Sequence, residues 1–194
     1  MNDTELISQI LDGNMNAFTF LVNRYQKLVV HITGRLIQRQ DEIEDVCQEG
    51  FIKVYQNLGK YRNECKLSTW IATIAYNSSV NYLRKFRKFD EVIPDDSFAL
   101  RNLADFRMEN YEITDLKRYI REQIERLPIQ YRTVVTLFHL EEFSYHEVEQ
   151  ITGMAEGTVK SYLFRAKALL REKLKHIVDE NSLKLVKEIS NEKG

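Results

Sequence analysis

The chain has 194 residues, 43% of them hydrophobic, enough for one fair-sized core or two small ones, which argues against disorder of the whole chain. Lys plus Arg number 28 against 29 Asp plus Glu, so the net charge of -1 identifies no partner, and two cysteines are too few for a disulfide scaffold. The opening MNDTELISQI lacks the basic and apolar regions of a signal peptide, and no apolar run approaches the ~18 residues that span a bilayer, so a cytoplasmic chain without membrane insertion is expected.

Seven Gly and two Pro leave little material for the tight turns of an all-β fold, and an all-α protein is expected. Asp3, Asn16 and Ser144 are candidate helix N-caps, and Gly13, Gly59 and Gly153 sit where helices should end. The first clear helix spans about 41–58, with Ile43, Val46, Cys47, Phe51, Val54, Tyr55 and Leu58 as its apolar stripe. On its other side Asp45, Gln48, Glu49 and Ile52 are spaced i, i+3, i+4, i+7. Over 41–56, acids at 41, 42, 44, 45 and 49 face only Lys53. That surface repels a phosphate backbone, and it is either a solvated face or a docking face for a basic protein.

A polar stretch, KYRNECK, precedes a helix over about 67–88. Leu67, Ile71, Ile74, Ala75 and Ser78 form its predicted buried stripe. Beside it run Trp70, Thr73, Asn77, Asn81 and Arg84, and the helix ends in Arg84, Lys85, Arg87 and Lys88. Aromatic rings stack on bases, amides bond base edges and terminal cations hold the backbone, an order that suits single-stranded or melting nucleic acid. The competing reading packs Trp70 and Tyr82 in the core and leaves the cations solvated.

Residues 90–112 carry seven acids (90, 91, 95, 96, 105, 109, 112) against Arg101 and Arg107, contain Pro94 and show no sustained helical period. They are expected to be a flexible acidic linker between two small helical domains. In the second domain a helix is expected over 129–142, after Leu127 and Pro128. Ser144 and Glu147 form a capping box, and a short helix with Tyr145, Val148 and Ile151 inward ends at Gly153. A longer helix follows over about 156–177, with Val159, Leu163, Ala166, Leu170 and Leu174 assigned to the core. This is a helix-turn-helix, with Gly157, Lys160, Ser161, Phe164 and Arg165 on the face that meets DNA in such motifs. Cations at 160, 165, 167, 171, 173 and 175 against Glu156 and Glu172 give that helix a local net charge of +4.

Three ordered blocks, DEIEDVCQEGFIKVYQNLGKYR, STWIATIAYNSSVNYLRKFRK and LPIQYRTVVTLFHLEEFSYHEVEQITGMAEGTVKSYLFRAKALLREKL, resemble the extracytoplasmic-function sigma factors of the sigma-70 family over about 4–175. The resemblance implies a sigma region 2 domain over 1–89, a linker over 90–112, a sigma region 4 domain over 113–178 and a tail over 179–194. It implies an RNA polymerase sigma factor that directs the core enzyme to promoters and opens DNA, in a stress or envelope response. Asp45, Gln48, Glu49 and Ile52 would then dock on the clamp helices of the largest polymerase subunit. Tyr61, Arg62, Asn63, Lys66, Trp70, Asn77, Asn81, Arg84, Lys85 and Lys88 would serve the minus-ten element, whose opening includes an extruded base.

Glu156, Gly157, Thr158, Lys160, Ser161, Arg165 and Lys167 would read the minus-thirty-five element, and the same domain would bind the flap of the other large subunit. The linker would thread near the RNA exit path, and an anti-sigma factor is a further possible partner. Cys47, Gly50 and Tyr162 depart from the residues usual in the family. No cofactor, metal site or catalytic residue is expected, since His31, His139, His146 and His176 are scattered and no zinc-type spacing or Gly-rich phosphate loop is present. The alternatives are a helix-turn-helix regulator that binds DNA without polymerase, a polymerase-binding helical module, and, more distantly, a nucleic-acid enzyme.

Overall fold

The computed structural model describes residues 2–86 and 113–174, and within them the chain is built of helices with no strand. The expected linker, Lys88 and the tail lie outside the described residues. The N-terminal half consists of α1 (Asp3–Leu11), α2 (Met15–Leu36), α3 (Gln40–Asn57), a 3-10 turn (Leu58–Lys60) and α4 (Leu67–Phe86). The C-terminal half consists of α5 (Ile113–Glu125), α6 (Ile129–Val135) running into a π-turn (Thr136–Leu140), α7 (Tyr145–Thr152) and α8 (Glu156–Leu174).

Two of the three expected N-caps are displaced. Asn2, not Asp3, caps α1 through a reciprocal box in which the Glu5 N–H donates to the Asn2 side chain at 2.8 Å. Asn14, not Asn16, caps α2, accepting from the N–H groups of Asn16 and Ala17 at 3.1 and 3.3 Å. In both cases an amide oxygen just upstream reaches the free N–H groups of the first turn. Ser144 caps α7 as expected, and Gly153 closes it at φ 74, the left-handed conformation that a side chain would oppose.

Leu21, Tyr25, Val29, Ile32 and Leu36 bury one side of α2 against α3 and α4. On α3 the expected stripe is buried except for Phe51, which is half-buried, and Tyr55, which is exposed. Its ring meets Phe18 of α2 edge-on at 4.9 Å, a contact at the rim of the core. The predicted stripe of α4 is inward, but Thr69, Ala72, Ser79, Val80 and Leu83 are buried too. The excess has a cause: α4 packs on α2 and α3 and also on α7 of the other half. The two halves are therefore in contact.

The helix expected over 129–142 changes winding at Thr136 and ends at Leu140. The Glu141 N–H bonds the Thr136 carbonyl at 3.0 Å, five residues back, and Glu142 follows at φ 57. On α8 the core positions are Val159, Leu163, Ala166, Leu169 and Leu174. Leu169 replaces the expected Leu170, which is only half-buried, on a helix that packs against α5, α6 and α7.

Candidate polymerase and nucleic-acid interfaces

Asp45, Gln48, Glu49 and Ile52 are all exposed on α3, Ile52 at 55%. The helix buries Ile43, Val46, Cys47, Gly50 and Val54, and this fixes the opposite face toward water. Glu49 meets Lys53 at 2.6 Å, and the Lys53 ammonium also donates to the Ser78 hydroxyl at 3.2 Å, so the lone cation of the helix leans back onto α4. Exposed pairs of this kind contribute little stability. What remains outward at Asp45, Gln48 and Ile52 is acidic and amide chemistry beside one aliphatic group.

The stretch from Tyr61 to Lys66 folds around its own tyrosine. The Tyr61 hydroxyl donates to the Cys65 carbonyl at 2.5 Å and has the Asn63 side chain at 3.1 Å, while Asn63 adopts φ 58. The Tyr61 ring lies 5.4 Å from that of Trp70, which is half-buried. Packing and exposure are thus combined at Trp70. Arg62, Asn63, Lys66, Asn77, Asn81, Arg84 and Lys85 are exposed. Asn77, Asn81 and Arg84 line a cleft of about 260 Å³, whose far wall holds Gln130, Thr152 and Met154 of the C-terminal half.

Glu147 was expected only as half of a capping box. Its Oε2 does accept from the Ser144 N–H and hydroxyl at 2.9 and 2.8 Å, but its Oε1 reaches the other half. There Thr69 donates to it at 3.1 Å and the Lys66 ammonium lies at 3.1 Å. Burial pushes this carboxyl up, but the hydrogen bonds from Ser144, Lys66 and Thr69 outweigh it and bring the pKa down to about 2. A local signal revealed the cap; nothing local marks the contact made 78 residues away.

On α8, Gly157, Lys160, Arg165 and Lys167 are exposed, and Glu156, Thr158 and Ser161 are half-buried at its start. Lys160 pairs with Glu156 one turn back, which raises the ammonium above its usual pKa, and it lies over the Tyr145 ring at 5.1 Å from the centroid. Phe164 projects at 75% exposure in the middle of this face. Tyr162 meets Tyr131 edge-on at 5.2 Å, a packing role. No group of three or more His, Cys, Asp or Glu among the described residues is placed to hold a metal.

Residues 21–89 match Sigma-70 region 2, and residues 117–170 match Sigma-70, region 4. The ECF RNA polymerase sigma-E factor of Haemophilus influenzae is 31% identical over 186 residues, covering 92% of this chain and 98% of its own. The chain belongs to the extracytoplasmic-function sigma factors. Another sigma factor, the sigma-H factor of Pseudomonas aeruginosa, is 30% identical, with 92% of this chain and 96% of the relative covered.

Among solved structures, this sigma factor shares its fold with CnrH in complex with the cytosolic domain of CnrY, at TM-score 0.63 and 20% identity, covering 91% of this chain and 99% of that one. It is also similar to the sigma factor RpoE in complex with the anti-sigma factor NepR from Bartonella quintana. That match has TM-score 0.61 and 25% identity, covering 81% and 96% of the two chains. The protein is thus an RNA polymerase sigma factor, a transcription-initiation protein carrying the DNA-binding modules of its family. No described helix is long and apolar enough to cross a membrane.

Proposed function

We propose that this sigma factor divides its work among three faces. Asp45, Gln48, Glu49 and Ile52 on α3 dock on a basic surface of core polymerase. The loop from Tyr61 to Lys66, with Trp70, Asn77, Asn81, Arg84 and Lys85, holds the opened minus-ten element. The start of α8, with Lys160, Ser161 and Arg165, reads the minus-thirty-five element. The protein acts in the cytoplasm, by binding and DNA opening and without a catalytic step of its own. The observation that carries this reading is the segregation of charge: an exposed acidic face on α3 and an exposed basic face on α8, each on an element whose other side is core.

An anti-sigma partner also fits, since a similar sigma factor is captured with one. A gel shift with promoter DNA, run with and without core polymerase, tests the division. Specific binding should require core, and equally specific binding by the free chain would favour a regulator that works alone.

A further inference from the structure

Helix α3 keeps one cation among the acids that suit it to a basic partner. Over 41–56 the acids at 41, 42, 44, 45 and 49 stand against Lys53 alone. A cation there repels the partner that the acids attract, yet its side chain is engaged from two directions. On α3 the Lys53 ammonium meets Glu49 Oε1 at 2.6 Å, and across the helix interface it donates to Ser78 Oγ at 3.2 Å. Glu49 belongs to the proposed docking row. Ser78, 2% exposed, lies on the buried side of α4. One side chain therefore joins the outer face of α3 to the inner face of α4.

Ser78 sits where it governs what α4 presents. Each residue of an α-helix turns the chain by about 100°, so Asn77, Asn81 and Arg84 all fall about 60–120° to one side of Ser78. These three are exposed along one wall of the cleft. Whatever fixes the rotation of α4 at Ser78 therefore fixes the direction in which the two amides and the guanidinium point. Ala75 and Ser79, buried beside it, form shallow ridges, and polar tethers add register that such packing specifies weakly. The Ser79 hydroxyl ties α4 to Thr33 of α2 at 3.3 Å, and Ser78 ties it to α3. The second tether is the one that ends on a docking residue.

We propose that Lys53 is a positioning residue for promoter opening: it straps α3 to Ser78 of α4, and docking of α3 on a basic surface tightens the strap. An exposed i, i+4 pair such as Glu49 with Lys53 is weak, and its carboxylate can turn to a cation of the partner. The incoming cation also repels the Lys53 ammonium, which keeps Ser78 as its acceptor. Docking thus reaches the face that carries Asn77, Asn81 and Arg84 through one side chain. The inference rests on the docking assignment of α3 and on the minus-ten assignment of α4.

The test uses the full chain with core polymerase and the variants Lys53→Met, Lys53→Arg and Ser78→Ala. Methionine keeps the apolar stem and removes the charge, whereas arginine keeps a cation. Anisotropy of the fluorescein-labelled chain titrated with core reads docking. Permanganate reactivity of unpaired thymines at saturating core reads opening, on a matched template and on one mismatched across the minus-ten element. Lys53→Met should bind core about twofold more tightly, with the gain fading in salt, because a like charge has left the interface. It should nevertheless open the matched template about threefold more slowly and recover on the mismatched one. Ser78→Ala should leave core affinity unchanged, slow opening to the same extent and add nothing to Lys53→Met, as the two ends of one contact do. Lys53→Arg should open the matched template faster than Lys53→Met.

Opening of the matched template by Lys53→Met at the wild-type rate overturns the strap, and so does additive slowing in the double variant. A residue that only supported the fold would weaken docking and opening together and lower the melting temperature, and that pattern overturns the positioning role. Weaker core binding by Lys53→Met at an unchanged melting temperature overturns the proposal through the docking assignment, since losing a cation cannot loosen contact with a basic surface. Equal slowing on both templates with core affinity intact overturns it through the minus-ten assignment of α4.

Discussion

Helices α3 and α4 are neighbours in one half of the molecule, and each carries a row of polar residues beside a buried stripe. Both rows are exposed, but the row on α3 stands on an open helix face, whereas Asn77, Asn81 and Arg84 on α4 line a cleft whose other wall holds Gln130, Thr152 and Met154. The difference teaches how the surroundings of a polar row set what can reach it: a row on an open helix face admits a broad surface, whereas a row along a cleft admits only what fits between its walls.

The largest expected effect comes from breaking the open side. Reversing Asp45 and Glu49 together to Arg should cost several kcal/mol of core binding, a loss of about hundredfold or more, because like charges would then face a basic partner. The helical signal should stay, since exposed substitutions alter stability by about 0.5 kcal/mol or less. Co-purification with core at wild-type yield would remove α3 from the docking role.

Acid tests the side of the cleft. The Glu147 pKa is about 2 in the folded chain against an ordinary 4.5, so the folded state favours the carboxylate. Its contribution is complete above pH 4.5 and is lost as pH falls toward 2, at most about 3 kcal/mol at 1.36 kcal/mol per unit, part of it local to the Ser144 cap. Thermal melts between neutral pH and pH 3 should show the loss in the wild type and a weaker acid dependence in Glu147→Gln. Equal dependence in both would mean that other carboxyls set the acid limit.

A smaller effect is expected on α8, which belongs to neither side of the comparison. Lys160→Ala and Arg165→Ala should each weaken holoenzyme binding to an upstream element by about 1–3 kcal/mol, and a pre-melted template should not rescue them. Silence of both in footprinting would rule this helix out as the reader. Asn77→Ala should have the least effect on the free protein, within about 0.5 kcal/mol of wild-type stability. It should nevertheless slow open-complex formation on a matched template and recover on one mismatched across the minus-ten element, because pre-melting removes a few kcal/mol of unpairing. Permanganate reactivity of unpaired thymines follows both, and an equal defect on both templates with a lowered melting temperature would make Asn77 a packing residue.

What could be read in the sequence was local or periodic. The Ser144 and Glu147 box and the left-handed Gly153 are signals within a few residues, and the stripes of α3 and α8 repeat with the helix turn. The acidic and basic faces followed from those stripes. Where tertiary packing decided burial, the pattern misled: α8 buries Leu169 in place of Leu170, and Tyr55 stays exposed while its ring meets Phe18 at the rim. Burial of Thr69 could not be foreseen from α4 alone, because the Glu147 side chain that it meets lies in the other half. Glu147 combines the two cases, with one oxygen bound by a rule of sequence and the other by tertiary structure.

The π-turn at Thr136–Leu140 makes spacing itself a variable in this chain. A π-turn is an α-helix that has absorbed one surplus residue, and each residue of an α-helix advances the chain by about 100° of rotation. Excising one residue there would let regular winding run on through the segment. The connection into Ser144 would shorten by one, and Glu141 would have to swing off the line on which it now meets His31. Single-residue insertions and deletions at this turn would thus act as a gear between the halves, changing their meshing without altering any contacting side chain.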